Sequence, residues 1–361
     1  MNKYFPNLNA LRFVAATLVV VFHIELFKSF YNIPNLFYLP FFKIIGKLSV
    51  VLFFVLSGFL ITTLLLNEYE KYGKINFANF YLRRVLRIWP LYFLILFIGF
   101  FILPNFSYWE VPNVSFHSPH EYFWKKLFLY ISILPNLAVA FYGEITGVSQ
   151  SWSLGTEEQF YLIWPILITF FRKKLLKVMV LLLVVYFFVS ILFGKLASLH
   201  DNFVILSSFW SLFSINCMTI GGIFAYFHFK KNIKLNYFLF NTYFFSLSLV
   251  VLLVLLAKGI QFSFFHYEIY SFLFGILIYN LGCNPKLNAV LEYRWLSYMG
   301  SISFGIYMFH PAILPPAIKI AQFYQMDELI YLITLPLTFL FSALSYEYFE
   351  KYFLKFKNKF N

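Results

Sequence analysis

The sequence predicts an all-α, polytopic integral membrane protein, and three observations lead to this fold class. First, 61% of the 361 residues are hydrophobic and only 12% are charged, about half the charged fraction of an ordinary soluble domain. Second, the apolar residues form blocks of roughly 17 to 23, the length that a helix needs to cross a bilayer core. Third, Lys and Arg collect in the short segments between these blocks. The net charge of +13 therefore indicates membrane orientation and does not indicate nucleic-acid binding.

About ten transmembrane helices are predicted from these blocks. They cover 8–28, 44–66, 87–104, 151–171, 178–195, 206–228, 237–257, 262–281, 296–318 and 329–346. Ten spans place both termini on one side, and that side carries 19 Lys and Arg residues against eight on the other. Because cytoplasmic loops carry the excess of positive charge, we predict that both termini are cytoplasmic (N-in/C-in).

One apolar stretch, 127–143, is predicted not to be an ordinary span. Pro135 and Asn136 interrupt it midway, and counting it as a span would place the basic run 172–177 outside. A re-entrant or interfacial segment fits better, since irregular backbone at membrane depth needs protein or a watery cavity around it.

We expect one transmembrane domain over 1–350, a short basic cytoplasmic tail over 351–361, and no fused extracytoplasmic domain. Cys217 falls in a predicted span and Cys283 in a predicted cytoplasmic loop. A structural disulfide is therefore not expected, and two thiols without paired histidines do not predict a metal site.

The first span, which begins LNALRFVAATLVVVFH, contains two costly residues, Arg12 and His23. Their separation leaves them about 20° apart around a helix and roughly 16 Å apart along it. Ionisable residues in spans usually face the protein interior and mark a functional path. The alternative is that Arg12 reaches the interface and His23 satisfies a backbone carbonyl. Glu25 points about 160° away from His23, so a His23–Glu25 dyad is not expected.

The stretch FYLRRVLRIWPLY places Arg83, Arg84 and Arg87 before the third span. Arginines three and four apart share a helix face, and their planar guanidinium groups suit phosphate. The stretch therefore predicts an anion site at the cytoplasmic face. The alternative is an ordinary positive-inside anchor.

The stretch SWSLGTEEQFYLIWP places Glu157 and Glu158 one turn into the fourth span, which we expect at the outer mouth. Two carboxylates beside Trp152 and Tyr161 suit a sugar-binding surface or partners for Arg12 or His23. The alternative is purely structural, because acidic residues and serine caps stabilise a helix N-terminus.

In MGSISFGIYMFHPAI, Ser303, Tyr307 and His310 lie on one helical face. Ser303 and His310 are about 10 Å apart along a straight helix, too far for a direct nucleophilic pair. His310 is taken as a second buried polar site, with packing or gating as the alternative. In the second span, Ser57-Gly58 is interpreted as a helix-packing site.

Five stretches occur in a fixed order: LNALRF…VVVFH, LFFVLSGFLI, FYLRRVLRIWPLY, SWSLGTEEQFYLIWP and GSISFGIYMFHP. Together they resemble the motifs of the membrane-bound acyltransferase 3 family, the O-acyltransferases that modify bacterial surface glycans. The resemblance covers nearly the whole chain. It implies a multi-pass protein of the bacterial cytoplasmic (inner) membrane.

The resemblance also implies roles for particular residues. Arg12 and His23 fall on positions considered essential in the family, and Arg84 and Arg87, preceded by Arg83, fall on a motif associated with the acyl-CoA donor. The family's W-S-L…E-E-Q-F-Y motif falls on Trp152, Ser153, Glu157, Glu158, Phe160 and Tyr161. Family members move an acyl group, often acetyl, from cytoplasmic acyl-CoA to an acceptor on the far side (EC 2.3.1.-). One departure is Asn9, where the family often has an acid.

From these residues we expect His23 to act as a general base on an acceptor hydroxyl. Glu157 or Glu158 orients the acceptor, and Arg12 stabilises donor or oxyanion charge. An acyl-enzyme on a histidine or serine is a competing route. The expected co-substrate is acyl-CoA, acetyl-CoA in the first instance, and no metal is expected. The other expected partners are a carbohydrate acceptor and the lipid bilayer.

Two other classes of protein are also compatible with the sequence. A glycan or lipid transporter or flippase is compatible with ten spans and intramembrane charge, although inverted repeats and paired broken helices are not evident in the sequence. A glycan polymerase or ligase would favour a large external catalytic loop. The sequence leaves the acceptor, the acyl chain length and the oligomeric state undetermined.

Overall fold

The computed structural model describes residues 5–112, 122–231 and 233–357, and within these ranges the chain is helical and contains no strand. Within these described residues, sixteen α-helices follow one another in chain order. They are α1 (Leu8–Phe30), α2 (Pro40–Tyr72), α3 (Phe77–Phe97), α4 (Phe123–Ile131), α5 (Pro135–Tyr142), α6 (Trp152–Phe171), α7 (Leu175–Leu199), α8 (Val204–Leu212), α9 (Ile215–Lys230), α10 (Ile233–Leu239), α11 (Thr242–Ala257), α12 (His266–Cys283), α13 (Arg294–Ser301), α14 (Ser303–Tyr324), α15 (Glu328–Ser345) and α16 (Lys351–Lys357). The all-α prediction is confirmed.

Six helical runs in the described part of the chain are long and apolar enough to cross a membrane, or eight if each of two bent helix pairs is one span. The sequence predicts ten. The difference lies in how helices are joined, because the run Ser149–Leu199 contains two predicted spans, and α12, which matches 262–281, is not among the candidates. The multi-pass architecture is confirmed, and the count of ten stays a prediction.

Three predicted spans are not straight helices. The pair α10 and α11 is bent by 53°, and the pair α13 and α14 by 63°. The predicted span 206–228 is interrupted at Phe213 and Ser214, between α8 and α9. The apolar composition that predicts a span does not report the direction of the helix axis, so these breaks are visible only in the structure.

The stretch 127–143 folds as two short packed helices, α4 and α5. The turn between them contains Ile133 at a φ of 60°, and Pro135 begins α5. Proline is favoured at a first helical position because its missing N–H needs no partner there. The prediction that this stretch is not one continuous span is confirmed, whereas its depth in a membrane stays a prediction.

The chain divides into two compact units, each made of three segments. Unit 1 comprises Met1–Ala15, Leu39–Asn76 and Glu157–Ser301, and unit 2 comprises Ala16–Tyr38, Phe77–Thr156 and Ile302–Asn361. They are described separately below. The single domain over 1–350 stays a prediction.

In unit 1, α2 packs along α9, and α12 packs against both. Two glycines permit the close approach of α2 and α9. A Cβ added to Gly58 would lie 1.9 Å from the carbonyl oxygen of Met218, and one added to Gly221 would lie 2.1 Å from that of Val55. Small residues at such crossings allow membrane helices to pack tightly, so the packing role predicted for Gly58 is confirmed.

In unit 2, α14 packs along α15, and α3 packs against α14 and α16. The expected tail at 351–361 does not begin with a break. A π-helical turn, Tyr346–Glu350, joins α15 to α16, so the helix continues to Lys357. Residues 358–361 lie outside the described part of the chain.

Candidate active site

Unit 2 brings two histidines from different helices into contact. His23 lies on α1 and His310 on α14, with ring centroids 4.9 Å apart and ring planes inclined by 50°. His310 is fully buried and His23 is half-buried. The sequence predicts His23 and His310 as separate polar sites, whereas in the folded unit 2 their rings form one pair.

Each histidine is oriented by its own helix. The Nδ1 atom of His23 lies 2.9 Å from the carbonyl oxygen of Val19, and Nδ1 of His310 lies 3.2 Å from that of Ile306. Because a carbonyl oxygen can only accept, each Nδ1 carries the proton that is donated. The Nε2 atom of the neutral ring then keeps its lone pair and can accept a proton.

The Nε2 atom of His310 is buried and has no hydrogen-bond partner among the residues that the structure describes. A second proton at this atom would be a buried donor without an acceptor, which costs free energy. The geometry therefore favours the neutral tautomer of His310. The pair presents imidazole nitrogens suited to taking up or passing on a proton.

A hydrogen-bond network holds the first turns of α14 in place. The Tyr307 hydroxyl donates to the carbonyl oxygen of Gln150 at 2.7 Å and lies 2.8 Å from the Ser153 hydroxyl, which donates to it. The Gln150 amide donates to the carbonyl oxygen of Met308 at 2.8 Å. The Tyr307 ring lies 6.0 Å from that of His310. Tyr307 therefore links the start of α6 to the histidine-bearing helix.

Ser303 is the first residue of α14 and is buried. Since α14 runs on from Ser303 through His310 as one helix, the helical rise keeps the two about 10 Å apart along the axis. The expected absence of a direct Ser303–His310 nucleophilic pair follows from this geometry.

Glu25 is fully buried on α1 but belongs to another network. Its carboxylate accepts from Lys28 at 3.1 Å, from the Tyr331 hydroxyl at 2.7 Å and from the backbone N–H of Leu36 at 2.5 Å. These bonds tie the last turns of α1 to α15 and to the loop that follows α1. As the helical geometry predicts, Glu25 does not form a dyad with His23.

The three arginines of α3 are buried or half-buried. Arg83 is 8% exposed, and the Arg84 guanidinium lies 5.7 Å from the centroid of the Phe80 ring. Arg87 interacts electrostatically with Glu350, next to the α16 helix that packs on α3. The protein therefore partly covers all three arginines, and their role in binding an anion stays a prediction.

Unit 1 contains a carboxylate held by two hydroxyl groups. The Ser57 hydroxyl donates to one oxygen of Glu157 at 2.8 Å, and the Tyr161 hydroxyl donates to the other at 3.0 Å. Bonds from α2 and from the next turn of α6 therefore fix the carboxylate plane. Trp152, which begins α6, and Glu158 are both half-buried.

This contact places Glu157 beside the middle of α2, because Ser57 lies midway along that helix. The position of Glu157 at the outer mouth of the membrane stays a prediction. Ser57 is also the functional candidate that sequence reasoning missed. The sequence signal that could have marked Ser57 is its neighbour Gly58. A glycine inside a span indicates a close helix contact, and a hydroxyl beside it then lies near that contact.

Arg12, also in unit 1, keeps an oxygen partner despite the departure at position 9. Its Nη1 donates to the side-chain oxygen of Asn9 at 3.2 Å. The amide supplies an acceptor oxygen without the charge of the acid that the family often has there. Arg12 and His23 lie on one uninterrupted helix, α1.

A polytopic helical protein with an oriented pair of neutral histidines and a hydroxyl-bound carboxylate within its spans has the features of a membrane-embedded acid–base enzyme. Residues 5–347 match the family model described as an acyltransferase domain (Acyl_transf_3). The chain belongs to this acyltransferase family.

Two curated relatives are O-acetyltransferases by name. The chain is 28% identical over 176 residues to the peptidoglycan O-acetyltransferase OatA of Listeria monocytogenes, covering 48% of this chain and 25% of that protein. It is 31% identical over 176 residues to the O-acetyltransferase OatA of Staphylococcus aureus, covering 48% and 26%. The matched part therefore spans about a quarter of the length of these relatives. No solved structure gives a significant match to the chain.

Proposed function

We propose that the protein transfers an acyl group, acetyl in the first instance, from cytoplasmic acyl-CoA to a hydroxyl of an extracytoplasmic carbohydrate such as a polysaccharide or lipid-linked glycan. The observation that carries this proposal is the contact between His23 and His310. Hydroxyl acylation needs a base at the acceptor, and the pair supplies two oriented imidazoles. The family and the names of the two O-acetyltransferase relatives support the acetyl group and the glycan.

The donor end is assigned to the arginines. Arg84 and Arg87, with Arg83, hold phosphate groups of acyl-CoA, because planar guanidinium groups make paired, charge-assisted bonds to phosphate. Arg12 binds further negative charge of the acyl-CoA donor. The separation of about 16 Å along α1 places Arg12 away from the atom on which His23 acts, which favours the donor role of Arg12 over an oxyanion role.

The reaction is a direct transfer. His23 Nε2 takes the proton of the acceptor hydroxyl as its oxygen attacks the thioester carbonyl. A C–O bond forms, the C–S bond breaks, and the proton passes to the departing CoA thiolate. His310 shares the proton through the imidazole pair. Glu157, fixed by Ser57 and Tyr161, orients the acceptor through hydrogen bonds.

The proposed setting is the bacterial cytoplasmic membrane with both termini inside. The excess of Lys and Arg on the side of the termini supports this orientation, since positive loops stay cytoplasmic. The donor arginines would then face the compartment that contains acyl-CoA. Labelling of single cysteines placed in the loops, with an impermeant reagent, tests the orientation.

The deciding experiment is transfer of labelled acetyl from acetyl-CoA to surface glycan in membranes that contain the protein. We expect His23→Ala to lower kcat by about 10²- to 10⁴-fold, the range of general-base catalysis. His200→Ala is the matched control, because His200 is an exposed histidine after α7. Wild-type activity in His23→Ala would remove the base assignment. Glycan movement without acetylation would instead favour the transporter reading.

A further inference from the structure

Asn7 is a fully buried polar residue directly before α1. Its φ is 66°, in the left-handed region that asparagine tolerates better than most side chains. A buried amide must have hydrogen-bond partners or it destabilises the fold. The partners of Asn7 therefore show what this residue holds in place.

Every side-chain hydrogen-bonding group of Asn7 is used. Its Nδ2 donates to the carbonyl oxygens of Leu281 at 2.8 Å and Leu287 at 2.9 Å, and its Oδ1 accepts from the N–H of Leu291 at 2.6 Å. The backbone N–H of Asn7 donates to Glu292 at 2.6 Å. All four bonds span more than 270 residues of sequence and lie within unit 1.

The bond to Leu281 satisfies a carbonyl oxygen that has no donor within its own helix. Leu281 lies in the last turn of α12, where carbonyl oxygens lack an intrahelical donor. The residue four positions on is Pro285, which has no N–H to give. The amide of Asn7 takes that place, so the end of α12 and the start of α1 are joined by one side chain.

The attachment continues toward Arg12. The carbonyl oxygen of Asn7 accepts from the N–H of Leu11 at 3.3 Å, so Asn7 begins the first turn of the helix. A Cβ added to Gly300 would lie 2.1 Å from the carbonyl oxygen of Asn9, which places α13 directly against this turn. Asn9 in turn bonds Arg12. Because a helix rises 1.5 Å per residue, Arg12 is only about 8 Å along the axis from Asn7.

We propose that Asn7 is a positioning residue for Arg12: its bonds to Leu281, Leu287 and Leu291 set the depth and rotation of the start of α1, and so the place where Arg12 meets the charge of acyl-CoA. This inference rests on the donor role of Arg12 in the proposed function. Asn7 itself touches no reacting atom. It controls the position of Arg12, which binds the donor.

Two substitutions separate the bonds from the backbone conformation. Asn7→Gly keeps the left-handed φ at no steric cost and removes all three side-chain bonds. Asn7→Asp keeps an acceptor for Leu291 but turns an acceptor oxygen toward the carbonyl oxygens of Leu281 and Leu287. Asn32→Gly is the matched control, because Asn32 is an exposed asparagine with a φ of 56° after the other end of α1.

The expected result is a split between KM and kcat. Asn7→Gly and Asn7→Asp raise the KM for acetyl-CoA about fivefold to tenfold, since small displacements of a positioning group cost affinity. The kcat per folded protein and the KM for the acceptor stay within about twofold. Asn32→Gly behaves as wild type. A merely structural role would lower the amount of active enzyme and leave the KM for acetyl-CoA unchanged, and that outcome overturns the proposal.

A double-mutant cycle with Arg12→Lys gives the second criterion. If Asn7 acts through Arg12, Asn7→Gly changes the KM for acetyl-CoA by less than about twofold in the Arg12→Lys background, because coupled residues are non-additive. Equal fold-changes in both backgrounds show that Asn7 acts independently of Arg12, and they overturn the proposal.

Hydrogen exchange tests the attachment without catalysis. Asn7→Gly should speed exchange in the segment 285–292, above all at the N–H of Leu291, whereas Asn32→Gly should not. Unchanged exchange overturns the proposal. Faster exchange in a protein that transfers no acyl group from acetyl-CoA rejects the proposed function, and with it the donor role of Arg12, while the attachment itself stands.

Discussion

Two polar clusters of this protein, one in each unit, use their hydrogen bonds in opposite ways. In unit 2, His23 and His310 are each held through Nδ1, and the buried Nε2 of His310 has no partner among the described residues. In unit 1, both oxygens of Glu157 accept from hydroxyl groups, of Ser57 and Tyr161. A group with a spare lone pair can accept a proton, whereas a carboxylate held at both oxygens is a weaker base and a better-defined acceptor. This comparison supports the proposal that the histidines transfer the proton and that Glu157 orients the acceptor.

After that of His23→Ala, the largest expected effect concerns His310. Removing the second imidazole by His310→Ala should lower kcat by about 10²-fold, within the range for a group that takes part in proton transfer. The effect should be far less than additive with His23→Ala, because both act on one proton. Steady-state kinetics of the two single variants and the double variant measure this. A fully additive double variant would show that the histidines work separately.

The next effect concerns the arginines of α3. Arg84→Ala combined with Arg87→Ala should raise the KM for acetyl-CoA about tenfold to fiftyfold, through loss of charge-assisted bonds to phosphate. Lys173→Ala combined with Lys174→Ala is the control, since both lysines are exposed and basic. Equal effects of the two double variants would mean that the arginines serve only as general positive charge.

A smaller effect is expected in unit 1. Glu157→Gln should raise the KM for the acceptor about tenfold, and Ser57→Ala, which removes one of the two hydroxyl bonds, about threefold. Ser198→Ala, at an exposed serine of α7, should have no effect. If Glu157→Gln instead lowers kcat as strongly as His310→Ala does, the proposed division between proton transfer and orientation is wrong.

The smallest effect concerns the other carboxylate of α1. Tyr331→Phe removes one of the bonds to Glu25 and should lower the free energy of unfolding by about 1 kcal/mol, with kcat within twofold of wild type. Thermal unfolding in detergent measures the change, with exposed Tyr324→Phe as control. A large loss of kcat at unchanged stability would give Glu25 a part in catalysis.

The sequence predicts where the helices lie better than it predicts the bends and breaks between them. Each predicted span corresponds to helix in the structure because hydropathy over about 20 residues reports burial in an apolar phase. The bends between α13 and α14 and between α10 and α11, and the break at Phe213, depend on tertiary packing. The broken stretch 127–143 was foreseen because Pro135 is a local signal.

The candidate site was predicted residue by residue but not as a set of contacts. Ordered motifs marked His23, His310 and Glu157, yet nothing local indicated that the two histidines touch. From the sequence, Ser57 is interpreted only through helix packing, and its bond to Glu157 forms only in the folded unit 1. The sequence does not indicate the role of Asn7, because its four partners lie more than 270 residues away along the chain.

By itself, the sequence determined that this is a helical multi-pass membrane protein and which residues carry the motifs of an acyltransferase. Both follow from local information, namely hydropathy, spacing and residue type. The tertiary structure decided which polar groups meet: His23 with His310, Glu157 with Ser57, and Asn7 with the end of α12. Such pairs depend on which helix faces pack together, and a buried polar group is stable only where that packing supplies its partner.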